Sequence, residues 1–170
     1  MLNRISFKLT VAVIGFAAMI FIGTQTPVAK ADSGDLPLPR FVSLASGTVN
    51  MRTGPGRRYP IVWVYQRRGM PLEVINQFDN WRKVRDVQGD EGWIHPAMLS
   101  GRRYAIIKNK SHFVYDKPLE EADVLAQLKP GVIVRLDSCG EGWCEVSVEG
   151  IDGWMPKAAL WGVYQQETFE

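Results

Sequence analysis

The stretch Trp81-Arg82-Lys83-Val84, then Gly92-Trp93-Ile94, then Ala97-Met98-Leu99-Ser100-Gly101 decides the organisation of this chain, because it occurs twice. The second occurrence is Trp143-Cys144-Glu145-Val146, Gly153-Trp154-Met155 and Ala158-Ala159-Leu160-Trp161-Gly162. Upstream, Gly69 to Ile75 is matched by Gly131 to Asp137, and Phe41-Val42-Ser43-Leu44 by Tyr104-Ala105-Ile106-Ile107. The offset is 63 at the earliest block, 62 through Val84 and Val146, and 61 from Gly92 and Gly153 onward. Blocks in one order at a near-constant offset are an internal repeat.

Each unit is about 60 residues long. Its segments are short, rich in Val, Ile, Trp and Tyr, and divided by Gly, Asp, Asn and Pro turns. Gly131 to Asp137 and Trp143 to Val148 alternate with the period of a strand, and no long helical periodicity follows residue 31. This pattern predicts an all-β fold of two tandem small barrels. The first barrel is expected over 40–101 and the second over 102–164, with a C-terminal tail at 165–170. A unit this small buries only about 60% of its unfolded surface, so the two gain by packing together.

The N-terminus reads as a secretory signal. Arg4 and Lys8 precede an apolar run from Leu9 to Ile22, short of the ~20 residues a spanning helix needs. Val28-Ala29-Lys30-Ala31 suits cleavage after Ala31, so residues 1–31 are expected to be removed; an uncleaved anchor is the alternative. Asp32 to Pro39, with two prolines, reads as a flexible leader. No membrane span is expected once the signal is gone, and the protein is expected in the periplasm or secreted.

Charge then changes meaning. The chain of 170 residues carries a formal +2, but residues 1–31 hold three basic residues and no acidic one. Residues 32–170 hold 17 basic and 18 acidic residues, a net −1, which argues against a nucleic-acid binder. The balance is uneven: residues 40–101 carry +4 and residues 102–170 carry −3. Arg52, Arg57, Arg58, Arg67 and Arg68 lie on two successive loops with Tyr59, Trp63 and Tyr65 between them. Arginine with aromatics suits an anionic polymer or acidic peptide. The alternative is that these charges solubilise loops or pair with the acidic second unit.

Cys139 and Cys144 flank Gly140-Glu141-Gly142-Trp143, a turn that can bring two strands within bridging distance. A disulfide fits an exported protein; two free thiols, or metal or redox chemistry, are the alternatives. No catalytic constellation is apparent: His95 and His112 fall in different units, no serine sits in a Gly-x-Ser-x-Gly elbow, and the carboxylates are scattered through turns. The protein is therefore read as no enzyme, without cofactor or metal.

The first unit resembles the bacterial Src-homology-3-like domain, in the run Val49-Asn50-Met51-Arg52-Thr53-Gly54-Pro55-Gly56, then Gly69, Trp81 to Val84, Gly92-Trp93-Ile94 and Leu99. The close Leu160-Trp161-Gly162-Val163-Tyr164 is similar to that of two-unit exported members from Gram-negative bacteria. The second unit departs at Phe113-Val114-Tyr115-Asp116-Lys117-Pro118, so a loop ligand is sought only in the first. Gly54, Pro55 and Gly56 bend that loop. Arg52 is either a strap bonding loop carbonyls or an anion contact. Trp93 and Trp154 are expected in the core. In eukaryotic relatives the residue matching Trp81 lines a peptide groove; ordinary packing is the alternative for it here. His95 and Met98 stand where those relatives carry the Pro and Tyr that hold polyproline. The resemblance therefore implies recognition of peptidoglycan or cell-wall peptides, with Arg52, Arg57, Arg58, Tyr59, Trp63, Trp81 and His95 as candidate ligand-binding residues. A periplasmic protein–protein adaptor, or an accessory to a separate cell-wall hydrolase, are the competing readings.

Overall fold

Short turns set the architecture of residues 36–170, the part of the chain that the computed structural model describes. The expected signal at 1–31 lies outside the described residues. In the first half, β1 (Arg40–Leu44), β2 (Val49–Arg52), β3 (Ile61–Tyr65), β4 (Pro71–Phe78), β5 (Trp81–Arg85), β6 (Glu91–Ile94) and β7 (Leu99–Ser100) form one antiparallel sheet. Its strand order is β3-β2-β6-β5-β4-β1-β7. In the second half, β8 (Tyr104–Ile107), β9 (His112–Tyr115), β10 (Val124–Leu128), β11 (Ile133–Cys139), β12 (Trp143–Val148), β13 (Ile151–Pro156) and β14 (Leu160–Trp161) repeat that order, as β10-β9-β13-β12-β11-β8-β14.

The repeat in sequence is a repeat in topology, down to its irregularities. The β4–β5 register slips between Val74 and Asn76, and the β11–β12 register slips at the equivalent place, between Leu136 and Ser138. Phe78 faces Trp81 across a two-residue turn, with Asp79 at φ 46°. Val148 faces Ile151 across Glu149 and Gly150, at φ 50° and 84°, the paired left-handed geometry that tight hairpins demand. A single turn of 3-10 helix, Pro96–Met98 or Lys157–Ala159, precedes the last strand of each half.

Both sheets are open, which corrects the expectation of closed barrels. Among the described residues β3 pairs only with β2, and β10 only with β9. At the other end β7 and β14 are two residues long and pair with β1 and β8. Strands that short offer no ladder across which the sheet could close.

Alternation places Leu72, Val74, Val84 and Ile94 in the first core and Val134, Val146, Met155 and Leu160 in the second. The cores adjoin: Ile106 on β8 is buried with the first cluster, and Ile133 and Trp161 pack against it. Phe41 meets the rings of Trp161 and Tyr164 at 5.1 and 4.7 Å. The Ser43 hydroxyl donates to the Arg102 carbonyl (2.8 Å), and Tyr164 donates to Glu73 (2.9 Å). Leu36–Glu170 is accordingly one compact unit.

Trp93 and Trp154 are not core residues; both are half-buried. Their neighbours explain this. Gly92 and Ile94, like Gly153 and Met155, are buried on the inward face, and alternation turns the tryptophan between them to the other face. The inward glycine is required by space. A Cβ at Gly92 would sit 2.5 Å from Met51 Cγ, and one at Gly153 would sit 2.6 Å from the Tyr115 carbonyl oxygen.

Residues 165–170 are bound to the second half. Cys139 and Phe169 exchange backbone hydrogen bonds of 2.8 and 3.0 Å. Lys157, fully buried, donates through Nζ to the carbonyls of Gln165 (3.3 Å) and Glu167 (2.6 Å). Arg103 grips the Glu167 carboxylate through both terminal nitrogens and lies over the Phe169 ring.

Candidate functional site

The β5–β6 register places Trp81 opposite His95, because Arg82 faces Ile94. Their rings meet edge to face at 5.5 Å. The Ala97 backbone N–H donates to His95 Nδ1 (3.3 Å), which in a neutral imidazole leaves the ring proton on Nε2. The 3-10 turn then brings Met98 alongside. Across the sheet, Arg52 at the end of β2 faces Trp93 on β6. Asn50, Arg52, Arg57, Trp81, His95 and Met98 thereby enclose a shallow groove of about 420 Å³.

Arg52 is the strap. Its guanidinium donates to the carbonyls of Arg57 (3.1 Å) and Tyr59 (2.7 Å), folding the loop 53–60 back on its own strand. Tyr59 completes the loop by lying on Gly54, where a Cβ would be 2.4 Å from the ring. This is why the loop needs glycine there. The strap uses the Arg57 carbonyl and leaves its exposed guanidinium as a cation at the groove rim.

The seven candidate residues divide into three places. Arg52, Arg57, Trp81 and His95 come together in the groove. Arg58 and Tyr59 stack on each other at 5.3 Å on the loop and do not line it. Trp63 lies elsewhere, on β3, where with Tyr65, Met70 and Ile106 it borders a second cavity of about 690 Å³. The arginines do not form one patch either: Arg67 donates to the Gly131 carbonyl of the second half at 3.1 Å. The ion pairs Lys83–Glu91, Arg103–Glu167 and Arg135–Asp137 each lie within one half. Cys139 and Cys144 are joined in a disulfide and buried in the second core.

Sequence reasoning missed the buried Asp86 beside the second cavity. Asp86 accepts from the Tyr65 hydroxyl (3.0 Å) and from the backbone N–H groups of Gln88 and Asp90 (3.0 Å each). Burial, and then the Asp86 charge and hydrogen bond, push the Tyr65 hydroxyl far above its ordinary range. The uniformly apolar run Ile61 to Tyr65 gave no sign that Tyr65 alone turns inward and needs a buried partner. Among the described residues no group of three or more His, Cys, Asp or Glu could hold a metal ion, and no helix is long and apolar enough to cross a membrane.

The second half fills the corresponding space. Tyr115 occupies the position of Arg52, since it faces Trp154 as Arg52 faces Trp93. Its ring packs edge-on to Trp143 at 5.6 Å. One half thus keeps a strapped loop beside a groove, and the other packs an aromatic pair.

Residues 45–101 and 108–162 match the family described as the bacterial SH3 domain. The chain belongs to this family. It carries the bacterial SH3 domain twice, and the strapped loop and groove belong to the first copy. No curated protein matches the sequence. Among solved structures it is similar to NlpC2 from Trichomonas vaginalis, at 12% identity over 75% of this chain and 49% of that one, with a TM-score of 0.34. It is also similar to NlpC1 from Trichomonas vaginalis (13% identity, 75% and 47% covered, TM-score 0.33). A third is an NlpC/P60 family protein from Bacillus cereus ATCC 10987 (13% identity, 71% and 55% covered, TM-score 0.33). The tandem SH3 chain spans about half the length of these structures.

Proposed function

We propose that this tandem bacterial SH3 protein is an exported, non-catalytic binding module that recognises peptidoglycan through its peptide, in the groove of the first domain. The observation that supports this reading is the juxtaposition of the half-buried Trp81–His95 pair with Arg57 across an open groove. A guanidinium pairs with carboxylates in a planar, two-pronged geometry, and wall peptides carry free carboxylates beside short aliphatic side chains. Trp81 and Met98 supply the apolar wall for those side chains, and His95 Nε2–H supplies a directional donor. The disulfide is in keeping with export to an oxidising compartment.

The test is co-sedimentation with purified insoluble peptidoglycan. Trp81→Ala and Arg57→Ala should each reduce the bound fraction, while Phe113→Ala, at an exposed site in the second domain, should not. Equal recovery of all four proteins would refute the groove assignment.

A further inference from the structure

Among the described residues, the repeat leaves two equivalent strands at sheet edges, β3 and β10, and both expose apolar side chains. Ile61, Val62, Trp63 and Val64 are 44–53% exposed, and Val124 and Leu125 are 53% and 46% exposed. An edge strand presents unpaired backbone donors and acceptors, so its natural complement is another strand. Charge selects which one. β3 is preceded by Arg57-Arg58 and followed, after Gln66, by Arg67-Arg68. β10 is preceded by Glu120-Glu121-Ala122-Asp123 and followed by Lys129. The flanks are the local expression of the +4 and −3 carried by the two halves.

Three pairings can be compared. Antiparallel β3 with β3 brings Arg57-Arg58 toward Arg67-Arg68, like against like. Antiparallel β10 with β10 leaves β3 and its four arginines unmet. Antiparallel β3 with β10 brings Arg68 alongside Asp123 and its acidic neighbours, with Arg57-Arg58 toward Lys129. The parallel sense would exchange these partners, but the Arg52 strap folds Arg57-Arg58 back from the line of β3, which leaves Arg68 as the cation in line with the strand. We propose that copies of this protein associate head to tail, β3 of one copy pairing antiparallel with β10 of the next. The β2–β3 register slips between Met51 and Arg52, and the β10–β9 register slips between Val124 and Ala126. These bulges confine regular pairing to Trp63–Tyr65 and Ala126–Leu128, so the contact is short and the association weak and concentration-dependent. Because the two surfaces differ, the contact builds chains or rings rather than a closed two-fold dimer.

Sedimentation velocity of the protein purified as the cell processes it, up to about 1 mM, tests this. Species beyond the dimer should grow with concentration and shrink when salt is raised from about 20 to about 500 mM, which shortens the screening length several-fold. Val64→Lys on β3 and Val124→Lys on β10 should each weaken association at least about tenfold. Mixed together, they should form a 1:1 dimer that grows no further, since one intact β10 meets one intact β3. Arg68→Glu and Asp123→Lys should each weaken association and should restore it when mixed; this pair carries the test should a strand variant fail to fold by circular dichroism. A protein that stays monomeric throughout, an association that survives either strand variant, or mixtures that do not restore pairing would each overturn the proposal.

Discussion

The inward glycine before each outward-turned tryptophan offers a quantitative test of the fold, because two equivalent positions meet different neighbours. Neither Gly92 nor Gly153 has a positive φ, so alanine introduces no backbone strain. On backbone grounds alone, Gly→Ala should stabilise by about 0.4–1 kcal/mol through the unfolded chain. Steric cost opposes this. At Gly92 the new Cβ meets Met51 Cγ at 2.5 Å, and Met51 Sδ and the Arg52 carbonyl oxygen at 2.9 Å. Met51 is unbranched and can re-rotate, but it is buried and its Cγ lies near the stem, and the Arg52 carbonyl must also shift. At Gly153 it meets the Tyr115 carbonyl oxygen at 2.6 Å and Val114 Cγ1 at 2.7 Å. One is backbone and the other is a β-branched side chain with little rotamer freedom, so strand β9 itself must move. Overpacking costs about 1–3 kcal/mol. Net of the backbone gain, Gly92→Ala should cost about 1 kcal/mol or less, and Gly153→Ala about 2 kcal/mol. For a unit of this size the second value is a fall of about 6–10 °C in Tm. Thermal and urea unfolding followed by circular dichroism measure both. A Gly153→Ala protein as stable as wild type, or a Gly92→Ala protein less stable than Gly153→Ala, would refute the packing argument.

Three further outcomes are expected. Tyr65→Phe keeps the ring but strips the Asp86 carboxylate of a buried donor, and should cost about 1–3 kcal/mol by urea unfolding at neutral pH. Burial alone would raise the Glu167 carboxyl, but the Arg103 hydrogen bonds, the Tyr164 N–H and the Arg103 and Lys157 charges hold it below its ordinary 4.5. Its stabilisation is thus complete above that ordinary value and is lost as pH falls through the lowered folded one, so Glu167→Gln should flatten the acid limb of a Tm–pH profile. Replacing Cys139 and Cys144 together with alanine should lower Tm by at least as much as Gly153→Ala does, because closing even this short loop contributes about 2 kcal/mol and both side chains are buried in the core; a clearly smaller fall would contradict this.

The repeat, its strands and the hairpin disulfide were legible because each rests on local pattern: alternation, turn glycines and cysteine spacing. Arg52, Arg57, Trp81 and His95 could be picked out by motif, and the β5–β6 register then brought Trp81 to His95. What sequence did not show depends on partners distant in the chain. Trp93 and Trp154 read as core because tryptophan is large and apolar, yet the glycine beside each holds the inward place. The arginines read as one cluster because they are close in sequence, but β3 separates Arg57 and Arg58 from Arg67, which bonds the second half. Closed barrels failed because β7 and β14 are too short to continue the ladder. The terminal six residues carry no periodicity, so their docking through Lys157, Arg103 and Cys139 left no mark in the pattern.

The central claim is that the groove of the first domain, and not its filled counterpart in the second, is the recognition surface. The chain has six tryptophans, whose indole N–H signals report on separate places in the fold. Titrating the 15N-labelled protein with soluble wall-peptide fragments, followed by heteronuclear NMR, reads them all at once. The account predicts a saturable shift of the Trp81 indole and the His95 ring with Trp143 and Trp154 unmoved. Shifts at Trp143 with Trp81 still would contradict it.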